Sequence, residues 1–245
     1  MRIALTIAGA DPTGGAGIQA DIKTFEAFGV MGLSAITALT AQDGNAVAST
    51  RPVSPAFLKE QISVLCKKFK IDAMKIGMLG TAKNARAVTE LIKEYRLKNI
   101  VLDTVLRSTG GYPLIKGDGI KAIKEMLAFV TIATPNLHEA SMISGIGIKD
   151  TEGMEEAAKA IADFGPRYVL LKGGHLKTDP VDILYDGKKF EYFHGKRLKG
   201  DAERLHGTGC ILSAGIAAGL AKGGSAEKAV EGAREFLMRV LKGRR

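Results

Sequence analysis

Cysteine is scarce: Cys66 and Cys210 are the only two, they lie far apart, and neither belongs to a cluster with metal-ligand spacing. A disulfide framework and a zinc site of the Cys-x-x-Cys kind are therefore excluded, and the usage suits a reducing, cytoplasmic setting. Long apolar runs are missing too. The opening stretch "MRIALTIAGADPTGG" stops at Gly9 and Asp11, too short to span a bilayer and without a cleavage-type ending, so a soluble chain with no membrane partner is expected. There is no internal repeat, low-complexity tract or linker, so one domain over residues 1–245 is expected. Acidic residues are the minority, 26 against 35 Lys and Arg, giving +9. That balance favours anionic ligands. The basic residues, however, are scattered over helical patterns such as "EQISVLCKKFK" without aromatic interleaving, and only "LMRVLKGRR" is a local cluster. No nucleic-acid partner is expected.

What is present is a rhythm. Near-continuous apolar runs of strand length recur in "RIALTIA", "GLSAITAL", "DAMKIG", "NIVLD", "VTIAT" and "YVLLK". Runs of that kind suit strands buried on both faces, as in a parallel sheet. Between them lie helical patterns, "GIQADIKTFEAF", "PAFLKEQISVLCKKF", "TAKNARAVTELIKEY", "GIKAIKEML" and "EGMEEAAKAIADF". This alternation predicts an α/β fold: a three-layer α/β/α sandwich with a mostly parallel central sheet. After Lys172 the pattern changes, and "PVDILYDGKKFEYFHGKRL" reads as an antiparallel edge hairpin turning at Asp186-Gly187. Two helices follow, "GTGCILSAGIAAGLAKGG" and one capped by Ser225.

In open parallel sheets, ligands bind beyond the carboxyl ends of the strands. The residues there include the glycine-rich Gly9 to Gly17, Gln42, Met78, Asp103, Asn136 with Glu139, Lys172 with His175, and the glycine-flanked Cys210 at a helix start. Singly, each reads as a turn, a cap or a solvated charge. Together they supply what phosphoryl transfer needs: backbone N–H groups, a cation, oxygen ligands for Mg²⁺ and a base. No G-x-x-x-x-G-K-[ST] loop is present. "GAGIQA" with Asp43 offers a dinucleotide alternative and hence an NAD-binding oxidoreductase, but six residues, Gly9 to Gly14, separate it from the strand end, where the fingerprint wants a direct turn.

The ordered series "LTIAGADPTGGAGIQADIKTF", "ITALTAQDG", "KIGMLG", "TPNLHEA", "LLKGGHL" and "HGTGC" resembles the ribokinase-like superfamily over nearly the whole chain. Within it, the chain resembles the hydroxymethylpyrimidine/phosphomethylpyrimidine kinases of thiamine biosynthesis. The resemblance implies an ATP- and Mg²⁺-dependent kinase, a homodimer, acting on a small pyrimidine alcohol and then on its monophosphate. It places Asp21, Gln42 and Met78 at or near the pyrimidine, where the Gln42 carboxamide could match an aminopyrimidine edge as donor and acceptor. Asn136 and Glu139 match the N-x-x-E element that supports Mg²⁺ and phosphate through water, Asp103 joins them, and Lys172 neutralises transferred phosphate. Gly207, Thr208 and Gly209 would present N–H groups to the γ-phosphate. Cys210 stands where most of the superfamily has an aspartate base, and its thiol pKa is expected to fall toward neutrality at the helix N-terminus. Cys66 is assigned no chemistry. The chain departs from the pattern in "GDAERL" before the anion hole, at Ala10 and at Leu106, which blurs substrate preference. Vitamin B6 kinase is the nearest alternative, and a non-catalytic ligand-binding domain is disfavoured by the intact reactive set.

Overall fold

The computed structural model describes residues 1–108, 111–116, 118–174, 181–195 and 206–243. A nine-stranded sheet organises them, in the order β11-β10-β9-β8-β6-β4-β1-β2-β3. Its strands are β1 (Ile3–Ala10), β2 (Met31–Gln42), β3 (Val47–Pro52), β4 (Ala73–Ile76), β6 (Ile100–Leu102), β8 (Ile132–Ala133), β9 (Tyr168–Leu171), β10 (Val181–Tyr185) and β11 (Phe190–His194). The six central strands from β9 to β2 pair in parallel, whereas β3, β10 and β11 pair antiparallel at the two edges. β5 (Gly80–Thr81) and β7 (Ile115–Lys116) form a separate parallel pair.

The apolar runs are continuous because alternate residues face two different cores. Leu5, Ile7, Met74, Ile76, Ile100 and Leu102 point to one core. That side is covered by α2 (Pro55–Lys68), α3 (Ala82–Glu94), α4 (Gly119–Leu127), α5 (Leu137–Ser144) and α6 (Thr151–Ala162). Ala4, Ala73, Val101 and Leu170 point to the other, covered by α1 (Gly17–Ala27), α7 (Thr208–Ala221) and α8 (Ala226–Gly243). This is the three-layer arrangement expected from the sequence.

α7 is buried almost all round, which fits its lack of a polar face. A Cβ on Gly215 or Gly219 would come within 2.9 or 2.8 Å of the Cβ of Ala233 or Ala229, so these glycines let α8 lie unusually close. The effect is to fix the N-terminus of α7 at the carboxyl end of the sheet. Ser225 caps α8 as expected, accepting from Lys228 N–H at 3.3 Å. The hairpin turns at Gly187 (φ +90°), where Asp186 Oδ1 accepts the N–H groups of Lys188 and Lys189, both at 2.8 Å.

Four elements were not expected: β3 adds an antiparallel edge beside β2, α5 begins within "TPNLHEA", and β5 and β7 form their own short pair. His175, "GDAERL" and the last two arginines lie outside the described residues.

Candidate active site

A cavity of about 710 Å³ opens along the carboxyl edge of the sheet. The strand order sets out its walls in sequence. Asp182 on β10 and Lys172 after β9 stand at one end, Asn136 and Glu139 after β8 and Asp103 after β6 come next, and Met78, the glycine loop after β1 and Gln42 on β2 stand at the other. Gly207, Thr208, Gly209 and Cys210 enter from the start of α7 and meet this row near its centre.

The centre is a compact electrostatic cluster. Lys172 Nζ lies 3.1 Å from Asp103 Oδ1, and Ser213 Oγ donates to Asp103 Oδ2 at 3.3 Å. Burial works against the Asp103 carboxylate, but Lys172 and Lys75 outweigh it and hold its pKa below the usual range. Burial likewise opposes charge on Lys172, and Asp103 and Glu139 raise its pKa instead. Both ions therefore persist, with the ammonium beside the start of α7: a Cβ on Gly209 would sit 3.5 Å from Lys172 Nζ.

Asn136 and Glu139 are joined by a capping box at the start of α5. Asn136 Oδ1 accepts Glu139 N–H at 3.0 Å, and Glu139 Oε2 accepts Asn136 N–H at 2.9 Å. Thr104 Oγ1 donates to the same Oε2 at 3.1 Å. Burial pushes the Glu139 pKa up to about 7, against the pull of Lys172. The N-x-x-E spacing thus orients the carboxylate as well as starting the helix.

At the start of α7, two glycine segments are pressed together. Gly207 has φ +77°, and a Cβ there would fall 1.8 Å from the Gly15 carbonyl oxygen, so only glycine fits. His206 Nε2 lies 2.8 Å from Asp11 Oδ2, whose carboxylate also accepts N–H groups from Thr13 and Ala16, both within 2.9 Å. The loop before α1 and the loop before α7 are in this way locked to one another.

Cys210 departs from its expected state. Burial pushes its pKa up to about 11, the opposite of the expected fall toward neutrality; Lys75 pulls it down, Asp21 and Asp103 push it up, and Gly17 N–H donates to the sulfur. The two helix N-termini at the sulfur do not compensate for the loss of water. Asp21 also departs. It is absent from the cavity wall and fully buried, with Oδ2 2.7 Å from Lys75 Nζ and 2.6 Å from Thr6 Oγ1, so it acts on the site through Lys75. Lys75 itself lines the cavity; burial works against its charge, yet Asp21 above all holds its pKa well above the ordinary value. Its one clue in the sequence was a lysine inside the apolar run "DAMKIG".

Gln42 and Met78 both line the far end of the cavity. Gln42 Nε2 donates to Thr40 Oγ1 at 2.9 Å, and that hydroxyl donates to the Ala10 carbonyl at 2.8 Å. Met78 Sδ would lie 3.0 Å from a Cβ on Gly9, so glycine there makes room for the thioether. Asp43, the acid of the dinucleotide alternative, spends its Oδ1 on the N–H groups of Asn45 and Ala46, both at 2.9 Å, and so shapes the turn before β3. Cys66 is half-buried on α2 against the core.

A family model described as phosphomethylpyrimidine kinase matches residues 11–244 of this chain. The chain belongs to the phosphomethylpyrimidine kinase family. A hydroxymethylpyrimidine/phosphomethylpyrimidine kinase of Aquifex aeolicus is 40% identical over 242 residues, covering 98% of this chain and 94% of the relative. The crystal structure of a phosphomethylpyrimidine kinase from Clostridium difficile superposes with a TM-score of 0.88 at 35% identity, covering 98% of this chain and 100% of that one. An ADP complex of Bacillus subtilis pyridoxal kinase superposes equally well, TM-score 0.88 at 39% identity, over 96% of this chain and 90% of that one. The family expected from the motifs is thus the family found, and the dinucleotide alternative falls away. Members of the phosphomethylpyrimidine kinase family are transferases, and this chain shares their kinase fold from end to end. No helix among the described residues is long and apolar enough to cross a membrane.

Proposed function

We propose that this kinase transfers the γ-phosphoryl group of ATP to 4-amino-5-hydroxymethyl-2-methylpyrimidine and then to the resulting monophosphate, giving the diphosphate used in thiamine biosynthesis. The observation that carries the reading is the row of groups along the sheet edge, with a polar and apolar acceptor end at Gln42 and Met78 and a charged donor end at Lys172 and Glu139. Family membership adds the substrates in the relatives' names. The anion hole at Gly207, Thr208 and Gly209 lies between the two ends, where a γ-phosphoryl group must pass.

Asp103 and Glu139 are the carboxylates available for Mg²⁺, and among the described residues no group of three or more His, Cys, Asp or Glu side chains is placed to hold a metal. Two hard oxygen ligands suit a Mg²⁺ that keeps its waters and arrives on a triphosphate, so the residues fit the ion. Bound there, it would neutralise charge on the β- and γ-phosphates. The chain's own contributions are separable. Lys172 and the α7 N-terminus stabilise charge on the transferring group. Gln42 and Met78 orient the acceptor. Cys210 receives the proton of the hydroxymethyl oxygen in the first transfer, acting through the small fraction of thiolate that a raised pKa leaves. In the second transfer the acceptor is a phosphate oxygen already ionised near neutral pH, so no base is needed.

A second reading is vitamin B6 kinase, favoured by the likeness to the Bacillus subtilis pyridoxal kinase. A mass-resolved time course with purified protein, Mg·ATP and the pyrimidine alcohol tests the first reading. Monophosphate that rises and then gives way to diphosphate supports it; no phosphorylated pyrimidine overturns it.

A further inference from the structure

Among the described residues five basic side chains line the cavity, and four of them are held by carboxylates. Lys75 is paired with Asp21, Lys172 with Asp103, Arg234 with Asp182, and His206 with Asp11. Arg107 is the exception. It has no carboxylate within ion-pair reach among the described residues, and its guanidinium makes only a long 3.4 Å contact from Nη1 to the Gly111 carbonyl.

Its position is set by the chain that follows β6. Residues 104–108 and 111–116 run antiparallel, with Arg107 opposite Pro113, Leu114 N–H donating to the Leu106 carbonyl at 2.9 Å and Ser108 N–H to the Tyr112 carbonyl at 2.9 Å. This flap is anchored where β7 pairs with β5, and Leu114, Val105 and Tyr112 pack on Met78 and Ala38. Leu106 is buried against the core, while Val105 and Arg107, two residues apart, both line the cavity. The flap therefore carries a guanidinium without a carboxylate partner on the cavity wall, two residues from Val105, which packs on Met78.

The two transfers differ in what must lie at the acceptor end. In the first the acceptor is a neutral alcohol. In the second it is a phosphate monoester carrying close to two negative charges, brought up against an anionic γ-phosphoryl group. We propose that Arg107 determines competence for the second transfer by holding the monoester phosphate as acceptor; this rests on the two-step reading above. An oxygen of that phosphate forms the new bond to the γ-phosphorus as the bond from γ-phosphorus to the β,γ-bridging oxygen breaks, and ADP leaves with that oxygen. Guanidinium suits the task because its fork can bind two phosphate oxygens at once.

The test measures each transfer alone, with the pyrimidine alcohol or its monophosphate as acceptor at saturating Mg·ATP, in wild type, Arg107→Gln and Arg107→Lys. The ratio of kcat/KM for the second transfer to that for the first should fall by about tenfold or more in Arg107→Gln, chiefly through KM for the monophosphate, and recover in part in Arg107→Lys. A ratio within about twofold of wild type overturns the proposal, whether both transfers fall together, as for a residue acting on ATP, or neither changes. A wild-type protein that makes no diphosphate from the monophosphate overturns the two-step reading and this proposal with it, and that result needs no variant to be recognised.

Discussion

Cys210 carries a cost that its place in the sequence hides. Glycines on either side and a helix start suggest a lowered pKa, yet desolvation dominates and pushes it up to about 11. A thiol that must lose its proton before it can accept another makes the first transfer depend on pH. Because the pKa is raised, the thiolate grows as pH rises toward that value, so kcat/KM for the alcohol should climb from neutral pH to the highest pH the protein tolerates. The second transfer should level off once the acceptor phosphate is ionised, above about pH 7. Cys210→Ala should depress the first transfer more than the second and flatten its pH profile. Equal losses in both, or an unchanged profile, would remove the thiol from the role of base.

Gly207 makes a second prediction at this scale. Gly207→Ala meets a positive φ and a backbone oxygen 1.8 Å from the new Cβ, whereas Gly145→Ala, at φ +82°, meets nothing within 4 Å. The Gly145 change should cost only the backbone term, about 1–2 kcal/mol, or a few degrees in Tm. The Gly207 change should lower Tm further and abolish activity at temperatures where the protein is still folded. Thermal unfolding of both, beside the activity of each, checks the pair.

At the scale of elements, the central strands and most of the helices were legible because their apolar residues repeat with the right period. α5 was not, since Asn136 and Glu139 were read for chemistry, although the same spacing is a capping box. β3 escaped because "VASTRP" is short, largely exposed and ends in proline, as an edge strand can. The antiparallel run of residues 104–108 and 111–116 was not legible, because it depends on contacts with Met78 and Ala38, far away in sequence. The capping box has its own consequence. Asn136→Ala should cost about 1 kcal/mol through the lost cap, and Asn136→Ser should regain most of it because serine also caps. Activity should follow the cap, falling in Asn136→Ala and largely returning in Asn136→Ser, since the backbone N–H of residue 136 still holds the Glu139 carboxylate in both while only the bond to Glu139 N–H is lost and regained. An Asn136→Ala protein with full activity would show that the box serves the helix alone.

For the molecule as a whole, the parallel sheet places one reactive loop after another along a single edge, and that much follows from strand alternation. The motifs located the cavity residues Gln42, Met78, Asp103, Asn136, Glu139, Lys172 and Cys210. Missed were the partners that set their charges. The pair Lys75–Asp21 and the link from Asp11 to His206 join residues 54 and 195 positions apart, separations that no local pattern reports. In the proposed reading the acceptor end is where the pyrimidine and vitamin B6 substrates part, and Gln42 is the residue assigned to it.

Competition in one tube puts that difference to the most direct test: equal concentrations of 4-amino-5-hydroxymethyl-2-methylpyrimidine and pyridoxal, limiting Mg·ATP, and both products resolved by mass. The ratio of initial rates is the ratio of kcat/KM values, and it should favour the pyrimidine by about tenfold or more if the amide of Gln42 is matched to an aminopyrimidine edge. A ratio favouring pyridoxal would leave the kinase intact and contradict the assignment of its substrate.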